Sequence, residues 1–116
     1  MDFRTLLIQL YQDFNSRQID AVLAHMHPDV SWPNGWEGGY VTGHEQVRAY
    51  WVRQWQQIDP IVEPISFDLQ PDGRVAIKVH QIIKSLEGQI ASDTQLLHIY
   101  SFVNGKVQTM AIEHPY

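Results

Sequence analysis

Six histidines and a complete absence of cysteine define the chemistry open to this sequence. Imidazole titrates near pH ~6.5, so a histidine held beside a substrate can take up and return a proton at neutral pH. Without a thiol, disulfide scaffolds, thiol catalysis and cysteine-ligated zinc or iron–sulfur centres are excluded. His98 is the principal candidate. It lies in a long alternating run in which Leu96, Tyr100 and Phe102 share its side at period two. Met110, Ile112 and His114 repeat the alternation in the next run and are expected on the same face. His80 sits on the preceding run, where it could stand beside His98 across the ladder. His25 and His27 point about 200° apart if helical, which is poor ligand geometry. His80, His98 and His114 would converge on a metal only if His80 took the same face, so no metal is expected, and no cofactor. The chain has no glycine-rich phosphate loop, no nucleophile elbow and no paired carboxylates inside an apolar stripe.

Aromatic residues are the second resource: four Trp, five Tyr and four Phe must line a core, an interface or a pocket. Trp32 and Trp36 flank the turn Pro33-Asn34-Gly35, where an indole more readily roofs a cavity than sits bare. Tyr40 in the following loop and Tyr50 on a helix are weaker versions of the same idea. Trp51 and Trp55, one helical turn apart, read first as core. Asn34 suits its turn for backbone reasons, and from there it can also hydrogen-bond a ligand. The expected ligand-contacting set is Trp32, Asn34, Trp36, Tyr40, Tyr50, Trp51, Trp55, Tyr100, Met110, Ile112 and His114, with His98 and His80 as the acid–base pair. The end of the chain, Glu113-His114-Pro115-Tyr116, reads as a solvated tail, or Glu113 or His114 closes the pocket.

These side chains need elements to position them. Phe3, Leu6, Leu7, Leu10, Tyr11 and Phe14 fall at helical spacing, and Asn15-Ser16 breaks the pattern. Ile19, Val22, Leu23 and Met26 predict a shorter helix stopped by Pro28. A short strand follows at Asp29–Trp32, then a glycine-rich loop to Gly43. Thr42 and Glu45 have the spacing of a capping box, opening a third helix with Val47, Tyr50, Trp51, Trp55 and Ile58 on one face. Beyond Pro60 the pattern alternates. Strands are predicted over 65–69, 74–86, 92–103 and 106–113, separated by Pro71-Asp72-Gly73, Glu87-Gly88-Gln89 and the hairpin pair Asn104-Gly105. Helices gathered to one side of an antiparallel sheet define α+β packing.

Length and composition agree with one domain over 1–116, carrying enough apolar material for a core. Net charge is −5 with scattered Lys and Arg, which gives no footprint for nucleic acid. No stretch approaches the ~20 apolar residues that span a bilayer. The start Met1-Asp2-Phe3-Arg4-Thr5 lacks the basic and apolar signature of an export signal. The expectation is a soluble, cytoplasmic protein with no nucleic-acid or membrane partner.

Three local patterns carry a resemblance to a known family. Ile19-Asp20-Ala21-Val22-Leu23 running to His27-Pro28-Asp29-Val30, Gly43-His44-Glu45-Gln46-Val47, and Phe102-Val103-Asn104-Gly105-Lys106-Val107 stand in order along nearly the whole chain. In this the sequence resembles the nuclear transport factor 2-like, or SnoaL-like, superfamily. The resemblance implies three N-terminal helices packed in a strongly curved antiparallel sheet, a cone-shaped α+β barrel with a pocket. It also implies His98, Tyr100 and Phe102 on the concave wall. The superfamily contains isomerases, cyclases, dehydratases and hydrolases beside non-catalytic binding or dimerisation modules, so fold alone does not give activity.

Aligned on the ketosteroid isomerases of that superfamily, Leu10 falls where they carry a tyrosine, Asn34 where they carry the aspartate base, and His98 where they carry a protonated aspartate. Leu10 cannot donate a hydrogen bond and Asn34 cannot accept a proton, which argues against steroid isomerisation. His80 and His98 are instead similar to the histidine pair of scytalone dehydratase-like members. Parity opposes His80: Val75, Ile77, Val79 and Ile83 form the apolar set of its strand, and His80 alternates with them beside Lys78 and Lys84. If that set packs a partner on the outer face, His80 points inward, and a homodimer through the outer sheet face is expected. Two functions follow. One is a cofactor-independent acid–base isomerase, cyclase or dehydratase acting on a small apolar or aromatic molecule. The other is a non-catalytic ligand-binding or dimerisation module.

Overall fold

Asp2 opens the first helix, α1 (Phe3–Asn15), by accepting hydrogen bonds from the Arg4 and Thr5 N–H groups at 3.1 and 3.2 Å. The structure, a computed structural model, describes residues 2–115; Met1 and Tyr116, with what was read into them above, lie outside the described residues. The α1 stripe buries Leu7, Leu10 and Tyr11. Arg17, at φ 62, turns the chain into α2 (Ile19–Ala24). Its guanidinium is held by Asp59 and the Pro60 carbonyl and lies 4.8 Å from the Trp55 ring centre.

Helix α2 stops short of the predicted Met26 because that residue already belongs to β1 (Met26–Pro33). Met26 is fully buried and pairs with Val107, whose N–H donates to the His25 carbonyl at 2.9 Å. A three-residue strand, β2 (Tyr40–Thr42), replaces part of the expected loop and pairs with β1. Helix α3 (Gly43–Trp55) follows, without the expected capping box. The Thr42 hydroxyl makes no cap bond, and the Thr42 N–H is satisfied by the Gln46 side chain at 2.8 Å. Gly43 adopts φ 81 at this junction, a conformation that disfavours any residue with a Cβ.

The remaining strands are β3 (Ile58–Leu69), β4 (Val75–Ser85), β5 (Ile90–Val103) and β6 (Lys106–Glu113). Asn104 and Gly105, at φ 51 and 79, make the tight β5–β6 hairpin that their sequence predicts. β3 starts at Ile58 rather than Ile65, running through Pro60 and Pro64. Two prolines are tolerated there because β3 is a sheet edge, where a missing N–H breaks no ladder bond.

The six strands run in the order β2-β1-β6-β5-β4-β3. β1 lies parallel to β6 and every other pair is antiparallel, so the sheet is mixed rather than purely antiparallel. Alternation in a sequence shows which face a side chain takes, not which neighbour its strand finds. The result is an α+β fold, three helices against a curved sheet whose edges β2 and β3 stay apart, so the barrel is open.

The core lies between helices and sheet, and Val75, Ile77 and Val79 of β4 are buried in it. That settles strand parity against the outward assignment: the apolar set of β4 faces the helices, and these residues cannot carry a dimer contact. No described helix is long and apolar enough to cross a membrane.

Candidate functional site

Helix α3, the end of β1 and the inner faces of β3–β6 surround a cavity of about 150 Å³. Trp32 and Trp51 meet edge-to-face in its wall with ring centres 5.7 Å apart. Tyr50, His98, Met110, Ile112 and His114 also line it, and Trp36, 38% exposed, stands at its mouth. Each comes from an element whose other face is committed. Met110 and Ile112 alternate on β6, while Tyr50 and Trp51 are successive residues of α3 that both turn inward. No Asp, Glu, Lys or Arg is among the lining residues.

His98 is 5% exposed. Its Nδ1 lies 2.8 Å from the Tyr11 hydroxyl, which accepts a hydrogen bond from the Tyr100 hydroxyl at 2.8 Å. Its Nε2 is buried and has no hydrogen-bond partner among the described residues. Burial, and secondarily the charge of His114, push the His98 pKa down to about 3. The ring is therefore neutral at pH 7: it can offer or accept a hydrogen bond, but it does not act as an imidazolium acid. Burial raises the Tyr11 and Tyr100 hydroxyls above the usual phenol range, so both stay protonated. Tyr50 is pushed up to about 12, again chiefly by burial, and its oxygen accepts from Gln54 Nε2 at 3.1 Å.

Several expected site residues lie elsewhere. The Asn34 side chain is turned into its own loop: Oδ1 accepts from the Trp36 and Glu37 N–H groups, and Nδ2 donates to Glu37, which in turn holds Arg53. Asn34 thus shapes the loop bearing Trp36 and is not in the cavity wall. Tyr40 is 56% exposed on β2. Trp55 lies behind the wall, stacked on Trp51 at 5.8 Å and against Phe14. Tyr100 is fully buried and is not a wall residue; its ring packs against the wall residues Trp32 and His98, and its hydroxyl donates to Tyr11. His80 is on the opposite sheet face, its Nε2 2.6 Å from Asp93, so it does not join His98. With His80 outside, His80, His98 and His114 do not converge, and no metal-binding cluster occurs among the described residues.

Other wall residues were not anticipated. Pro60 and Val62 belong to the part of β3 that its prolines concealed, and Ile83 was assigned outward; all three line the cavity, as do Gln54 and Gln81. Tyr11 is the larger omission. A tyrosine inside an otherwise apolar helix stripe carries a hydroxyl that must find a partner once buried, and that signal was present.

Solved structures of the same shape are numerous. TerC, co-crystallised with polyporic acid, is 26% identical, covers 93% of this chain and 87% of its own, and superposes with a TM-score of 0.80. A candidate polyketide cyclase from Sinorhizobium meliloti is 15% identical over 94% of both chains, TM-score 0.79. A Mycobacterium tuberculosis protein in complex with estradiol-17beta-hemisuccinate is 16% identical over 87% of this chain and 84% of its own, TM-score 0.74. At those identities the last two show the fold alone. No curated protein matches the chain. The SnoaL-like domain family matches residues 7–110, nearly the whole sequence, and with the fold just described this chain belongs to the SnoaL-like family.

Proposed function

We propose that the cavity binds a small, uncharged molecule of about one ring, apolar or aromatic, anchored by a hydrogen bond to His98. The observation that carries this is His98, a wall residue whose Nε2 is buried and unpartnered, in a wall that holds no acidic side chain, lysine or arginine. A buried polar group left unpaired costs about 1–3 kcal/mol, which a ligand of matching polarity recovers. The size follows from volume. An apolar cavity of about 150 Å³ accommodates benzene, whereas drug-sized ligands occupy about 300–1,000 Å³. A steroid such as the one in the mycobacterial relative would need the Trp36 loop to open. The ligands of TerC and of that relative support a ligand-binding reading of the same cone.

Trp32, Trp36 and Trp51 in the wall make the test direct. Titration with single-ring aromatic ketones should quench tryptophan fluorescence saturably, and His98→Leu should weaken binding roughly tenfold, the equivalent of ~1.4 kcal/mol. A linear, non-saturating response across the series would defeat the reading.

A catalytic version is favoured by one further observation, that His114 lines the same cavity and acts on His98 electrostatically. A neutral imidazole can polarise a carbonyl by hydrogen bonding. Here Nε2–H would hold the developing enolate oxygen while His114 removes the α-proton and returns it, which is the elementary step of an isomerase or cyclase. Exchange of acetophenone methyl protons in deuterated water, followed by NMR, should be accelerated by the protein and lost in His114→Leu. Exchange at the buffer rate leaves the binding module. A homodimer through the outer sheet face also belongs to this proposal, resting now on Ile61, Ile82, Leu97 and Ile99, which alternate with the cavity-facing residues of β3, β4 and β5.

A further inference from the structure

We infer that Tyr11 and Tyr100 are positioning residues that lock His98 as its Nε2–H tautomer, so that the cavity selects a ligand presenting a hydrogen-bond acceptor, a ketone or quinone oxygen. This rests on the reading of the cavity as a ligand site. The argument is one of proton accounting in a closed chain. Tyr100 donates its hydroxyl hydrogen to the Tyr11 oxygen at 2.8 Å, and Tyr11 lies 2.8 Å from His98 Nδ1. Both tyrosines are buried, and these are the only side-chain hydrogen bonds of either hydroxyl among the described residues. Were Nδ1 protonated, it would point its hydrogen at an oxygen that already accepts one. The Tyr11 proton would then have no acceptor in a dry interior, at the cost of a buried unpaired donor. With Tyr11 donating to Nδ1 instead, each link satisfies the next, and the single ring proton must sit on Nε2.

The consequence is directional. Nε2 is the unpartnered atom of His98, a wall residue of the cavity, so a ligand that reaches it meets a donor and no competing acceptor at that nitrogen. Tyr50 adds to the asymmetry: its oxygen is occupied by the Gln54 amide, leaving its hydroxyl hydrogen as a second donor in the wall. A cavity whose imidazole and phenol both donate discriminates for carbonyl oxygens and against isosteres that lack them.

Nitrogen-15 NMR of histidine-labelled protein reads the tautomer without any ligand. The expected spectrum at pH 7 places the His98 proton on Nε2 alone, and Tyr11→Phe gives a mixture of tautomers. A proton on Nδ1 in the unmodified protein overturns the inference. Should Tyr11→Phe fail to fold, Tyr100→Phe removes the outer link and is expected to shift the same signal in the same direction, while no shift would overturn the role of the chain. Selectivity is read with acetophenone against α-methylstyrene, which replaces the carbonyl oxygen by a methylene group of similar size. The ketone should bind about tenfold more tightly to the unmodified protein and within about threefold in Tyr11→Phe. Equal binding of both probes to the unmodified protein overturns the inference. Absence of binding by either defeats the ligand-site reading alone, and the NMR result still decides the tautomer.

Discussion

At the scale of the residue, His98 ties stability to acidity. Its folded pKa, about 3, lies below the ~6.5 of an unfolded chain, so between these values the unfolded state binds the extra proton. The contribution is complete above pH ~6.5 and is lost as pH falls toward 3, with a slope approaching about 1.4 kcal/mol per pH unit. Urea midpoints measured at pH 7 and pH 5 should therefore diverge, and His98→Phe should flatten the difference even if it lowers stability at pH 7. Parallel pH dependence in both proteins would mean that other groups set the acid limit. The importance of position 98 was legible in the sequence because alternation alone puts its ring beside Leu96 and Tyr100. Its neutrality was not, since that depends on how completely β6, α1 and the ring of Tyr11 enclose it, and one-dimensional spacing carries no burial depth. His80 shows the converse. Its parity is readable from Val75, Ile77 and Val79, whereas the choice between inner and outer face depends on the helices packed against them.

At the scale of the element, the least expected device is Asn15. Its position at the end of an apolar helix stripe marked it as a breaker, yet its amide forms two bonds to one edge residue. Nδ2 donates to the Val62 carbonyl at 2.8 Å, and the Val62 N–H donates to Oδ1 at 2.9 Å. The side chain thus acts as one more rung on the free side of β3, docking α1 and covering an edge that would otherwise invite pairing with another chain. Asn15→Ala should cost about 1–3 kcal/mol, because two buried backbone groups lose their partner. Denaturant unfolding measures this directly, and a change under ~0.5 kcal/mol would show that hydrophobic packing alone docks the helix. Hairpins and helices with strong local chemistry, such as Asn104-Gly105 and the α1 stripe, were readable residue by residue. β3 was not, because prolines normally argue against a strand and are admitted here only by its place at the sheet edge.

At the scale of the whole molecule, the proposed homodimer rests on the outer sheet face. With Val75, Ile77 and Val79 turned inward, a homodimer depends on Ile61, Ile82, Leu97 and Ile99, interrupted by Lys78 and the His80–Asp93 pair. Light scattering at micromolar concentration should give twice the chain mass, and Leu97→Glu should halve it without loss of helix or strand signal. A monomer before mutation would leave the outer face as plain surface. One last consequence comes from the parallel pairing of β1 with β6. β1 finds this neighbour only far along the chain, in the stretch that also supplies Met110 and Ile112. During translation the growing polypeptide therefore holds an unfinished groove with β1 lacking one companion. The receptacle comes into being only when this long-range pairing forms, and removal of β6 should abolish it rather than trim it.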